Sequence, residues 1–303
     1  MKKNNELSKK VHPFYGIFVA LATPFKGGEI DEEKLQTHLE FLLSEGVSGV
    51  VPCGTTGESV ALSLEERGRL IRLCVDFFKG KGHVIPGTGA MTTADALTYT
   101  RQAQEAGADG ALVVSPYYVK ADPEGVKKYY ETLAEKTSFP LILYSNPGRT
   151  GFEIPVSLIR SLVESCPLIM GLKDSSTDLT RPMALASLNR PFSLLSGEDA
   201  TFPAFLAQGG HGIISVGANV APSLYRQLYE AWCQGDLPTF SHLGRTLYSL
   251  SETLFKTPSP GPVKYALSLE GYGGPETRLP LAPLTPEHRE EIQKVLSILK
   301  EPS

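Results

Sequence analysis

Short runs of aliphatic and β-branched residues alternate along this chain with longer segments of helical periodicity, and that alternation leaves few folds open. The runs fall at 17–23, 49–53, 83–87, 110–115, 141–145, 168–173, 193–196 and 212–216. Each is followed by apolar residues at helical spacing, as in Leu35, Leu39, Leu42 and Leu43, or Leu158, Ile159, Leu162 and Val163. Runs such as Ala111-Leu112-Val113-Val114 and Leu141-Ile142-Leu143 are apolar throughout, which marks parallel strands covered on both faces. Eight such units within about 220 residues predict an α/β fold, a (β/α)8 TIM barrel. An open doubly wound sheet is the alternative. It wants a glycine-rich dinucleotide fingerprint after the first strand, and Ala22-Thr23-Pro24-Phe25 is not one.

The punctuation agrees. Gly46, Gly80, Gly107 and Gly209 stand where helices should end in a left-handed cap. Pro123 and Pro155 stand where first helical turns should begin, and Ser63-Leu64-Glu65-Glu66 reads as a capping box. Beyond residue 222 the pattern is helical over 222–234, 236–256, 262–270 and 286–300. The predicted organisation is a frayed N-terminus over 1–13, a barrel over 14–235 and a C-terminal helical appendage over 236–303.

Composition narrows the partners. A net charge of −4, with basic residues scattered rather than striped, argues against nucleic acid or an anionic membrane surface. The four cysteines form no C-x-x-C pair and suit a reducing, cytoplasmic compartment; Cys53 reads as buried and inert. The apolar stretch at 14–25 is too short to span a bilayer and lacks a signal-like cleavage region.

The chemistry centres on Lys173. It closes the apolar run Leu168-Ile169-Met170-Gly171-Leu172, where an ammonium is hard to solvate. Burial favours the neutral amine, which attacks a ketone to form a Schiff base. The plainer reading is a solvated lysine or one paired with the adjacent Asp174. The other strand ends decide between them, because reactive groups of a barrel come from the C-terminal ends of strands and the loops just after. There lie Gly54-Thr55-Thr56-Gly57-Glu58-Ser59, Pro116-Tyr117-Tyr118, Tyr144 with Asn146-Pro147-Gly148-Arg149-Thr150-Gly151, Ser196-Gly197-Glu198-Asp199, and Ile213-Ile214-Ser215-Val216. Singly, each has a structural explanation: a tight turn, a packed ring, a surface charge. Together they suit Schiff-base chemistry, with backbone N–H groups for one carboxylate, phenol and threonine hydroxyls to pass protons, and Arg149 to grip a second carboxylate. The six histidines are dispersed without a metal-binding pattern, which disfavours a metal-dependent aldolase; no resident cofactor is expected. Gly209-Gly210-His211-Gly212 hints weakly at a phosphate site, although close backbone packing explains such glycines equally well.

These motifs, with Pro262-Val263-Lys264 and Leu279-Pro280-Leu281, resemble the dihydrodipicolinate synthase (4-hydroxy-tetrahydrodipicolinate synthase) family, within the pyruvate-dependent class I aldolases that include N-acetylneuraminate lyase. The resemblance runs from about Gly16 to near residue 298. It implies that Lys173 carries a covalent pyruvate adduct and that Tyr144 is the general acid/base, linked with Thr55 and Tyr118 in a proton relay. Tyr118 would reach a neighbouring subunit's site in a homotetramer built as a dimer of dimers. Thr56 would bind the pyruvate carboxylate, Gly197 would line the substrate site, Ile214 would contact the adduct through its main chain, and Arg149 would hold the carboxylate of L-aspartate 4-semialdehyde. The implied setting is lysine and diaminopimelate biosynthesis.

Two stretches depart from the family pattern. Ser145-Asn146 follows Tyr144 where Tyr-Asn is common, and Val119-Lys120-Ala121 follows Tyr118 where Asn-Lys-Pro is common. A lyase for N-acetylneuraminate or a 2-keto-3-deoxy sugar acid therefore stays open, as does a barrel that only binds a small molecule. The resemblance also implies an effector pocket for lysine at Ser59, Arg67, Met91, Asp95 and Tyr117. Here Arg67 replaces a common histidine and Met91 a common asparagine, so feedback inhibition by lysine is expected to be weak or absent.

Overall fold

The computed structural model describes residues 13–300. The frayed segment expected at the start of the chain lies, but for its last residue, outside the described residues. Eight parallel strands form one sheet: β1 (Gly16–Ala20), β4 (Gly49–Val51), β5 (His83–Val84), β6 (Ala111–Val114), β7 (Leu141–Ser145), β8 (Ile169–Asp174), β9 (Ser193–Ser196) and β10 (Gly212–Ser215). Their order is β5-β4-β1-β10-β9-β8-β7-β6. The two ends of that order meet. Gly87 bridges Leu112 in parallel, the Thr88 N–H donates to the Leu112 carbonyl at 2.8 Å, and the Leu112 N–H donates to the Pro86 carbonyl at 2.8 Å. The sheet thus closes on itself as the predicted barrel, which removes both edges.

Burial explains why these runs become strands. Every residue of β1 and of β7 is buried, as it must be where one face fills the barrel and the other meets helices. The helices start where their caps direct. Ser63 and Glu66 form the reciprocal capping box before Leu64–Phe78, and Asp122 caps Pro123–Thr137 with the proline in its first turn. Pro155 sits one position earlier than a first-turn residue, at the cap of Val156–Ser165. Gly46, Gly80, Gly107 and Gly209 all adopt positive φ.

Three features differ from the sequence expectation. A two-residue antiparallel hairpin, β2 (Phe25–Lys26) with β3 (Glu29–Ile30), follows β1; it is too short to show a period. The helices after β8 and β9 shrink to Arg181–Leu185 and Phe202–Ala207. The phosphate hint at 209–212 also fails. These glycines precede or open β10, at the end of the barrel away from the strand C-termini. A Cβ on Gly212 would come within 2.1 Å of the Gly16 carbonyl, and one on Gly210 within 2.2 Å of the Phe205 ring. Close packing accounts for both.

After the last barrel helix (Pro222–Gln234), helices Leu237–Phe255, Gly261–Leu269 and Pro286–Lys300 pack on one another. Among the described residues, no helix is long and apolar enough to cross a membrane.

Candidate active site

The parallel register of β7 and β8 sets Tyr144 directly beside Lys173. The Lys173 side chain is buried, and its Nζ lies 4.3 Å from the centre of the Tyr144 ring. Successive strand residues point to opposite faces, so the next residue, Asp174, looks the other way. Its carboxylate takes the Arg181 Nε–H at 2.7 Å and the Ser176 N–H at 3.0 Å, and both partners of the Asp174–Arg181 pair are 3% exposed. The plainer reading of Lys173 as half of an ion pair with Asp174 is therefore overturned. Among the described residues, no carboxylate stands within ion-pair distance of the Lys173 ammonium.

Lys173 faces a cavity of about 350 Å³ at the C-terminal mouth of the barrel. Of the residues singled out from sequence, Thr55, Thr56, Tyr144, Arg149, Lys173 and Gly197 line it together. Two do not. Tyr118, at φ 72° and 87% exposed, turns outward, while the preceding Tyr117 lines the cavity. Ile214 is buried in the barrel beside Phe18, and Val216, two residues on, reaches the cavity instead.

Gly197 is a glycine for a local reason. A Cβ there would lie 2.0 Å from the Ser175 hydroxyl and 3.0 Å from Cε of Lys173, so a bare backbone leaves the lysine its course into the cavity. The loop after β4 is also tightly built. Cys53 and Glu58 both adopt left-handed backbone, the Glu58 N–H donates to the Thr55 carbonyl at 3.1 Å, and the Thr23 hydroxyl donates to the Gly57 carbonyl at 2.9 Å. The Cys53 thiol is pushed up to about 11 by burial, partly offset by the Arg67 charge, which makes it a poor nucleophile.

Electrostatics favour a reactive phenol. Burial opposes ionisation of Tyr144. The Lys173 charge, the Asn146 amide, the Ser175 hydroxyl and Arg149 more than offset it, and the net direction is below the ordinary phenol range. The Asn146 contact is a hydrogen bond from Nδ2 to the Tyr144 oxygen at 2.8 Å. Glu198, also on the cavity wall, is pushed up by burial and by Asp199 against the opposing pull of Lys173. Asn146 and Glu198 stood in the strand-end motifs without an assigned role; their position at the mouth was the available signal. One wall lay beyond local reading altogether. Phe255, Ser259, Pro260 and residues 278–281, all from the C-terminal region, close one side of the cavity. Among the described residues, no group of three or more His, Cys, Asp or Glu side chains is placed to hold a metal ion.

The profile of the dihydrodipicolinate synthetase family matches residues 13–299. The chain belongs to the dihydrodipicolinate synthetase family. A 4-hydroxy-tetrahydrodipicolinate synthase of Rhodospirillum centenum is 45% identical over 284 residues, which is 93% of this chain and 97% of that protein. The crystal structure of dihydrodipicolinate synthase from Aquifex aeolicus superimposes with a TM-score of 0.92 at 38% identity, covering 94% of this chain and 98% of the other. A chloride-inhibited dihydrodipicolinate synthase from Acinetobacter baumannii, complexed with pyruvate, superimposes with a TM-score of 0.89 at 34% identity, covering 93% of this chain and 97% of the other. Membership of the dihydrodipicolinate synthetase family thus extends over the barrel and the C-terminal helices alike, including those that supply the cavity's far wall.

Proposed function

We propose that this chain is a lyase that condenses pyruvate with L-aspartate 4-semialdehyde, as a 4-hydroxy-tetrahydrodipicolinate synthase of lysine and diaminopimelate biosynthesis. The observation that carries the reading is the buried amine of Lys173, held over the Tyr144 ring without a carboxylate partner among the described residues, in a member of this family. The amine adds to the ketone carbon of pyruvate and water leaves, giving an imine. Loss of a methyl proton gives an enamine, with the electrons held toward the imine nitrogen. The enamine carbon attacks the aldehyde, and Tyr144 supplies the proton that the new alkoxide takes up. The substrate's own amine then attacks the imine carbon and displaces Lys173, closing the ring. Thr56 with the neighbouring backbone receives the pyruvate carboxylate, Thr55 shares protons with Tyr144, and Arg149 receives the carboxylate of the second substrate. Gly197 leaves room for the lysine. The covalent intermediate supplies the electron sink without a resident cofactor.

In this reading the protein is a cytoplasmic homotetramer, in which Tyr118 reaches the site of a neighbouring copy. Its outward ring, and the exposed apolar side chains of Val60, Leu64, Met91 and Val119, support such an interface. A coupled assay offering L-aspartate 4-semialdehyde, N-acetylneuraminate and 2-keto-3-deoxy sugar acids tests the substrate. Turnover is expected with the semialdehyde alone, and Arg149→Gln should raise its KM while sparing that of pyruvate. Comparable cleavage of a sugar acid would overturn the assignment.

Feedback by lysine is expected to be weak. Arg67 is 2% exposed, donates to the Ser59 carbonyl at 3.3 Å and the Gly87 carbonyl at 2.5 Å, and lies 4.1 Å from the centre of the Tyr99 ring. The Asp95 carboxylate is engaged by the Thr92 hydroxyl at 2.6 Å. A fixed cation thus stands beside Tyr117 and repels an incoming ammonium. Steady-state rates should be unchanged by submillimolar L-lysine; half-inhibition in that range would refute the expectation.

A further inference from the structure

Glu58, in the loop that carries Thr55 and Thr56, lines the cavity, and its carboxylate is held by the C-terminal region. Its side chain is 2% exposed and its Oε1 meets Nζ of Lys264 at 2.6 Å; the lysine side chain is 1% exposed. The other oxygen, Oε2, accepts the Arg278 backbone N–H at 2.8 Å. Lys264 belongs to helix Gly261–Leu269, 206 residues along the chain. Its ammonium lies 4.1 Å from the centre of the Phe25 ring, and the Arg278 guanidinium lies 4.3 Å from the same ring. Arg278 in turn donates to the carbonyls of Ala61 and Gly28, both at 2.7 Å, and to the Glu66 carboxylate. The loop, the hairpin after β1 and two C-terminal segments therefore meet on one set of charges, with Glu58 and Lys264 buried and Arg278 and Glu66 partly so.

Stability alone is a poor explanation for this arrangement. A buried ion pair is often no better than well-packed apolar residues in its place, whereas breaking it leaves a bare buried charge. Glu58 is also a non-glycine residue in left-handed backbone, at φ 54°. What the pair does supply is direction. Lys264 on one carboxylate oxygen and the Arg278 N–H on the other clamp the residue whose own N–H donates to the Thr55 carbonyl. We propose that Glu58 and Lys264 are positioning residues for pyruvate, holding the 54–59 loop so that Thr55, Thr56 and the adjacent backbone meet the pyruvate carboxylate. The C-terminal helices thereby set affinity for the first substrate. This rests on the reading of that loop as the carboxylate-binding element.

The test compares Lys264→Met, the double variant Glu58→Gln with Lys264→Met, and Thr56→Val, using the full chain. Steady-state constants for both substrates, thermal midpoints and borohydride trapping over a pyruvate titration are the measurements. The double variant buries no unpaired charge, and its midpoint should return to near that of the parent. Its pyruvate KM and half-trapping concentration should nonetheless stay raised by about tenfold, as expected for the loss of a charge-assisted hydrogen bond, with the KM of the semialdehyde little changed. If the pair were merely structural, recovery of the midpoint would bring back the pyruvate KM, and that result overturns the inference. Thr56→Val separates the two levels. A raised pyruvate KM there, with a parent-like KM in the folded double variant, removes the inference alone. A parent-like KM in Thr56→Val removes the loop reading and the inference with it.

Discussion

Lys173→Met is expected to lose turnover by roughly a thousandfold or more, and to yield no borohydride-stable adduct with pyruvate, because it deletes the proposed covalent nucleophile rather than a contact. Mass spectrometry of the reduced protein reads the adduct directly. The variant should fold. Methionine follows the lysine stem closely and removes an ammonium that no carboxylate among the described residues pairs. The Asp174–Arg181 pair on the opposite face is untouched, so the strand keeps its anchoring. A pyruvate adduct persisting in Lys173→Met, or mapping to another lysine of the parent, would show that the chemistry lies elsewhere.

Tyr144→Phe should come next in size, with a fall in kcat of about a hundredfold or more, in the range for a positioned general acid or base. The ring stays, so its packing beside the Lys173 stem is kept; the loss is the hydroxyl and its hydrogen bond from Asn146. The pH profile is the sharper readout. In the proposed reaction the protonated phenol is the acid for the carbon–carbon bond-forming step, and it is lost as pH rises through its pKa. The Lys173 charge and its polar neighbours outweigh burial and draw that pKa downward. The alkaline limb of kcat in the parent should accordingly fall below the ordinary phenol range, and Tyr144→Phe should lack that limb. A variant turning over at the parent rate, or keeping the same limb, would remove Tyr144 from the acid/base role.

Much of this was legible locally. Period and punctuation located all eight strands of the sheet, with ends displaced by a few residues, because each strand and helix must bury its own apolar face wherever it lies. The strand ends then named much of the cavity wall, including the residues around Lys173. The side on which a loop residue falls was not legible. Tyr117 and Tyr118 are the same residue type at adjacent positions, and a left-handed backbone at Tyr118 turns one ring inward and the other out. Lys173 and Asp174 look like a pair in the sequence, and the pleat sends them to opposite faces.

The sequence by itself determined the barrel, its mouth and the lysine at the mouth, since these follow from patterns repeated within each strand–helix unit. Only the tertiary structure decided that Asp174 belongs to Arg181, that the 278–281 segment walls the cavity, and that Glu58 is held by Lys264 from 206 residues away. Such pairings have no period. A buried charge takes whichever partner the closed barrel and its C-terminal helices bring within hydrogen-bond reach, and nothing in the neighbouring residues of either partner records which one that is.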